Sequence, residues 1–120
     1  MYKKFEKWLD NVLDRGLPSE TVAVHFNFYE EADNYWSIQF IGANRFDEDD
    51  EDWCCDEVFT TGEYLFTWQE YTDWKKVNEK SIALINDYLN QGRYAIKLKS
   101  YKAIGAGFVD GDVEVLYKKG

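Results

Sequence analysis

The sequence predicts an α+β fold: a mostly antiparallel sheet of about five strands, two helices packed on one face, and a C-terminal β-hairpin. Three observations point there. Apolar residues recur with a helical period near the start of the chain and again between residues 74 and 89. They alternate with a period of two between residues 21 and 41. Near the end, Asp110-Gly111 stands between two further strand-like runs, "IGAGFV" and "DVEVLY". At 120 residues the chain has the length of one domain, taken as 1–120, with enough material for one core.

Phe5, Trp8, Leu9, Val12 and Leu13 fall at the spacing of an amphipathic helix, and Gly16 and Pro18 are placed to end it. Val22, Val24, Phe26 and Phe28 then alternate with Ala23, His25, Asn27 and Tyr29. After the polar "EEADN", Trp36, Ile38 and Phe40 alternate with Ser37, Gln39 and Ile41, so these runs predict two antiparallel strands joined by a turn. "EVFTT" and "EYLFTW" predict one interrupted strand or two short ones around Gly62. Thr72 or Asp73 can cap a second helix whose stripe is Trp74, Val77, Ile82, Ile85, Tyr88 and Leu89, with Gly92 at its end. "RYAIKLKSYKAI" suits either a strand or a helical turn. Asp110-Gly111 predicts a tight hairpin turn with positive φ angles.

The net charge of −9 is local. Residues 47–57, "DEDDEDWCCDE", hold eight carboxylates and no basic residue, and the remainder is close to neutral. Such a field repels nucleic acid and anionic membrane and attracts a basic protein partner. With 45% hydrophobic and 18% aromatic residues the chain is globular rather than disordered. No run approaches the ~18 apolar residues of a membrane span. The opening "MYKKFEKWLDNVLDRG" mixes charge into its apolar positions, so neither a span nor a signal peptide is expected. The expected compartment is the cytoplasm, where two adjacent free cysteines also suit the reducing conditions.

The acidic segment supplies the candidate partner-binding residues: Asp47, Asp49, Asp50, Glu51, Asp52, Trp53 and Asp56. The expectation is a non-enzymatic binding protein without cofactor or metal. The alternative is a small enzyme or divalent-cation-binding domain built on the same loop. A calcium loop begun at Asp47 fails, because Asp52 occupies the glycine position and Val58 stands where the bidentate Glu belongs. Trp53 has two readings, an exposed interface anchor or an indole folded inward to pin the loop. Cys54 and Cys55 lack the C-x-x-C spacing of redox and zinc sites; one is expected to face inward and the other outward. Surrounding carboxylates should raise the thiol pKa and disfavour a nucleophile.

His25, the one histidine, lies on the strand face opposite Val24 and Phe26 and is expected to be an ordinary surface or sheet-edge residue. "GAGFVDG" is not a dinucleotide fingerprint, because Asp110 replaces its last glycine. Its glycines instead suit a bulge or a close backbone approach. Trp8, Trp36 and Trp74 fall at expected core positions.

The strings "FNFYEE", "FDEDDEDWCCDEVF" and "KSYKAIGAGFVDGDVEVLY" resemble small bacterial proteins associated with immunity against polymorphic or contact-dependent toxins. The resemblance covers most of the chain from about Phe26 onward. It implies an inhibitor that covers a basic toxin, such as a nuclease, with an acidic surface. On that resemblance Asp49, Asp50, Glu51 and Asp52 would supply the field and Trp53 an anchor. It carries over no catalytic residues.

Overall fold

The first helix, α1 (Tyr2–Asp14), buries the predicted stripe of Phe5, Trp8, Leu9, Val12 and Leu13, and Gly16 leaves it at φ +76°. The computed structural model describes residues 1–120. β1 (Ala23–Glu30) and β2 (Tyr35–Ala43) form the expected antiparallel pair, with Phe26 opposite Phe40 and Phe28 opposite Ile38. A 3-10 turn over Ala32–Asn34 joins them. Two short strands follow, β3 (Glu57–Thr60) and β4 (Phe66–Gln69). Both lie along the same edge of β2: β3 beside Ile41–Ala43 and β4 beside Tyr35–Ile38. Between them the chain turns at Gly62, whose φ of +57° suits a residue without Cβ.

α2 (Trp74–Gln91) is capped by Asp73, whose side chain accepts from the Lys76 N–H. α3 (Ala95–Lys99) then fills the stretch for which strand and helical turn stood equal, and β5 (Ala103–Phe108) follows it. β5 runs parallel to β1, Val24 opposite Ile104, and β6 (Glu114–Lys118) pairs antiparallel with β5 on the outer edge. The sheet has six strands in the order β3-β2-β1-β5-β6, with β4 also on β2. One β1–β5 pairing is parallel and the rest are antiparallel, as an α+β fold with a helical crossover requires.

The pleat divides the sheet's residues between its faces. Val24, Phe26, Phe28, Ile38, Phe40 and Ile104 turn toward the helices and join the α1 and α2 stripes in one core. Phe26 and Phe40 meet edge to face at 5.2 Å. Tyr88 of α2 donates its hydroxyl to Asp10 Oδ1 of α1 at 2.6 Å, tying the two helices across the core rim.

Two expectations need correction. Trp74 belongs to the α2 stripe by spacing, yet it is 53% exposed. It is the first residue of the helix and packs against Phe108 of β5, edge to face at 6.1 Å; Ser81 and Leu84 are buried on the stripe instead. The second is the hairpin. Gly111 has no positive φ, and five residues, Val109–Val113, connect β5 to β6. The Gly111 N–H donates to the Phe108 carbonyl at 2.9 Å, which makes Gly111 the fourth residue of an ordinary turn, a position glycine favours.

Close approach is the role of the other glycines in this run. The β5–β6 register shifts between Ile104 and Gly105, and a Cβ on Gly107 would fall onto the Asp112 carbonyl oxygen. Around Gly111 only ordinary contacts of 3.6–3.7 Å would form. Gly107→Ala is therefore expected to cost about 2–3 kcal/mol through forced backbone displacement. Gly111→Ala should change stability by no more than about 0.5 kcal/mol. Urea denaturation of the two variants tests this; a large loss at Gly111 would instead indicate the positive-φ hairpin.

Candidate functional site

On the helix-free face the sheet carries several small side chains beside the buried Ile41. Ala23, Ala43 and Ala103, with Gly105 beside them, leave a depression in which bulkier neighbours would not fit. The acidic segment folds back across it as a 3-10 turn, Glu51–Cys55, and Trp53 fills the depression. Trp53 is 1% exposed. Phe46 lies at 5.3 Å edge to face and His25 at 5.7 Å. Of the two readings of Trp53 the inward one holds; the indole pins the loop and has no surface left with which to anchor a partner.

The carboxylates are thereby held outward on a fixed support. Asp47, Glu48, Asp49, Glu51, Asp52, Asp56 and Glu57 are exposed and Asp50 is half-buried. Two cations outside the segment clamp it. Arg45 binds Asp56 and, at 3.2 Å, Asp50. Lys118 of β6 reaches Glu48, with Oε2 at 2.7 Å. Asp47 and Asp50 also turn one oxygen back onto the N–H groups of Asp49 and Asp52, at 2.9 and 3.0 Å. Glu51 accepts from the Val113 N–H at 3.3 Å, joining the loop to the β5–β6 connection. Asp47, Asp49, Glu51, Asp52 and Glu57 have no cationic partner. No three His, Cys, Asp or Glu side chains converge as a metal site would require.

The cysteines sit on a 3-10 turn rather than a strand, and their exposure still differs. Cys55 is exposed; Cys54 is half-buried and donates its thiol to the Glu51 carbonyl at 3.3 Å. Burial first, and then the neighbouring Cys55, pushes the Cys54 thiol up to about 11, far from the thiolate a nucleophile needs.

His25 departs furthest from expectation. It does lie on the face opposite Val24 and Phe26, but the acidic loop covers that face, and the residue is 2% exposed. Neither ring nitrogen has a hydrogen-bond partner. Burial pushes its pKa down to about 4, so the imidazole is neutral at pH 7.

Beside the loop a cleft of about 370 Å³ opens. It is lined by His25, Asn27 and Tyr29 of β1, by Glu51, Asp52, Cys54, Cys55 and Glu57, and by Phe108, Val109, Gly111 and Val113. A second cleft of about 520 Å³ adjoins it at the end of the sheet and shares Tyr29, Phe108, Val109 and Gly111. The exposed Trp74 lines this one, edge to face with Phe108 at 6.1 Å.

Of the sequence-derived site residues, Glu51 and Asp52 reach the cleft, Asp47 and Asp49 stand outside it, Asp50 and Asp56 serve the Arg45 clamp, and Trp53 lies beneath. Arg45, Lys118, Glu57, Asn27 and Tyr29 carry no motif that marks them in the sequence. The signal for a covered face was the alanine and glycine content of "KAIGAG", which leaves room for something to lie on the strand.

Fold and site together define an α+β protein that carries an acidic loop on the helix-free face of its sheet. Comparison with protein-family models, curated proteins and solved structures finds no match for this chain. No helix is long and apolar enough to cross a membrane.

Proposed function

We propose that this chain is a non-enzymatic inhibitor: a bacterial immunity protein of the cytoplasm that neutralises a basic toxin, such as a nuclease, by binding it through the acidic loop. The observation that carries this reading is the set of five carboxylates without a cationic partner, held outward on a loop that Trp53, Arg45 and Lys118 fasten from beneath and from both sides. A fixed field of one sign accelerates encounter with a basic partner and orients it. Affinity then comes from a few desolvated anchors. The anchor role passes from the buried Trp53 to Trp74, whose exposed ring borders the cleft adjoining the loop.

The test is affinity capture with the tagged protein from a bacterial lysate at low and high salt. Recovery of a stoichiometric basic polypeptide, toxic when expressed alone and harmless when co-expressed with this chain, is the expected result. With that partner in hand, reversing Asp47, Asp49 and Asp52 to Lys should slow association at least tenfold at low salt and flatten its salt dependence. Trp74→Ala should act mainly on dissociation. Unchanged kinetics in the reversed variant, or capture of no basic partner, would refute the reading.

A further inference from the structure

The cleft of about 520 Å³ at the end of the sheet is lined by aromatic rings. Phe28 and Phe108 lie opposite each other on the parallel strands β1 and β5, with ring centroids 5.7 Å apart and planes at 84°. Trp74 meets the same Phe108 at 6.1 Å and 86°, so two rings stand nearly perpendicular to a third. The corner is braced from below. The Val109 N–H donates to the Phe28 carbonyl at 3.2 Å, and Trp36 packs edge to face against Phe108 at 6.2 Å. Phe28 is buried, whereas Trp74 and Val109 are about half exposed. Glu30 and Asp110 also line the cleft, and no lysine or arginine does. Neither carboxylate has a cationic partner. Lys75 Nζ stands 5.9 Å from the Trp74 centroid, which shows this indole beside a cation, yet Lys75 does not line the cleft.

We propose that this cleft binds a quaternary ammonium ion, the trimethylammonium head of a small organic cation. The faces of aromatic rings carry negative potential and attract a cation without any hydrogen bond, and rings set at right angles present faces to it from more than one side. The N-methyl groups pack on Trp74, Phe108 and Val109, while Glu30 and Asp110 balance the charge. A primary ammonium is compact and strongly hydrated, so it would have to shed water among rings that offer no hydrogen bond in return. A neutral alkyl group fills the space but gains nothing from the carboxylates or the ring faces. An anion is repelled. The chemistry of this cleft is independent of the inhibitor reading above, although Trp74 serves both.

The probe is choline, titrated into the isotope-labelled protein at about 0.1 M salt, where charges more than ~10 Å away are largely screened, and followed by NMR. Its uncharged isostere, with carbon in place of nitrogen, and N-acetyl-lysine amide are the controls. Choline should bind saturably, with a Kd on the order of millimolar, shifting the Trp74 indole N–H and the amides of residues 28–30 and 108–111. Both controls should bind about fivefold more weakly or worse. Trp74→Leu keeps apolar bulk but removes the ring face, and should weaken choline binding about fivefold or more. Tyr71→Leu removes an exposed ring outside the cleft and should change binding less than about twofold. Glu30→Gln with Asp110→Asn should weaken it about threefold or more, and Glu20→Gln with Glu63→Gln, equal in charge but outside the cleft, less than about twofold. Preserved amide dispersion shows that the variants fold.

An isostere that binds like choline would make the cleft a plain apolar pocket and overturn the proposal, as would lysine amide binding like choline. Equal weakening by the two leucine variants, or by the two carboxylate pairs, would place the cation elsewhere and overturn it too. A captured basic partner without saturable choline binding overturns the ammonium site and leaves the inhibitor reading standing. Saturable choline binding with no basic partner ever recovered does the reverse.

Discussion

Trp53→Ala is expected to destabilise the protein by about 3–5 kcal/mol, a fall in Tm on the order of 10–20 °C, although six acidic residues precede it and two cysteines and two acids follow it. The indole is the largest fully buried side chain, and the alanines and glycine around it have no bulk with which to close the cavity it would leave. Trp53→Phe should cost less, since a smaller ring still occupies part of the depression. Thermal denaturation reads the loss. Hydrogen exchange gives a second readout, because amides of residues 47–57 should lose protection in the alanine variant before those of β1 and β2. A Trp53→Ala variant with unchanged Tm but lost partner binding would mean that the ring faces outward.

The second large effect is a dependence of stability on pH that originates in His25. Its folded pKa, about 4, lies below the ordinary value of 6.5 because burial disfavours the imidazolium. The unfolded chain therefore takes up a proton first as the pH falls, and stability declines between pH 6.5 and about 4, by about 3 kcal/mol in full. Below pH 4 both states are protonated at this site, and its contribution becomes level.

His25→Leu, close in volume and without polar atoms, should remove this slope. It should also raise stability at pH 7 by about 1–2 kcal/mol, because two unpartnered nitrogens leave the interior. The measurement is urea denaturation of both proteins from pH 7.5 to 4. The difference between them isolates His25 from carboxylates such as Glu70, whose pKa the Lys80 hydrogen bond lowers and whose contribution both proteins share. Parallel curves would show that His25 is solvated or paired.

Local pattern made much of the framework readable. The α1 stripe, the β1–β2 alternation and the Asp73 cap involve neighbours within one or two turns or one hairpin. Periodicity and capping chemistry act over that range, and the structure follows them. The charge of residues 47–57 is likewise a property of composition alone. Relations across the chain lie beyond that range. Trp74 has the right spacing for the core, but whether a helix's first turn overlies a sheet depends on where the sheet ends.

His25 and Trp53 make the point most directly, because their burial depends on each other. Alternation places His25 on a given face of β1 but is silent on what covers that face. The acidic run announces exposure, while its one tryptophan finds a depression formed by Ala23, Ala43 and Ala103 on three different strands. Period and charge are legible residue by residue because they arise from short-range geometry. The covered face, the clamps from Arg45 and Lys118, and the cleft exist only once distant segments meet, since their energies come from surfaces that no single segment possesses.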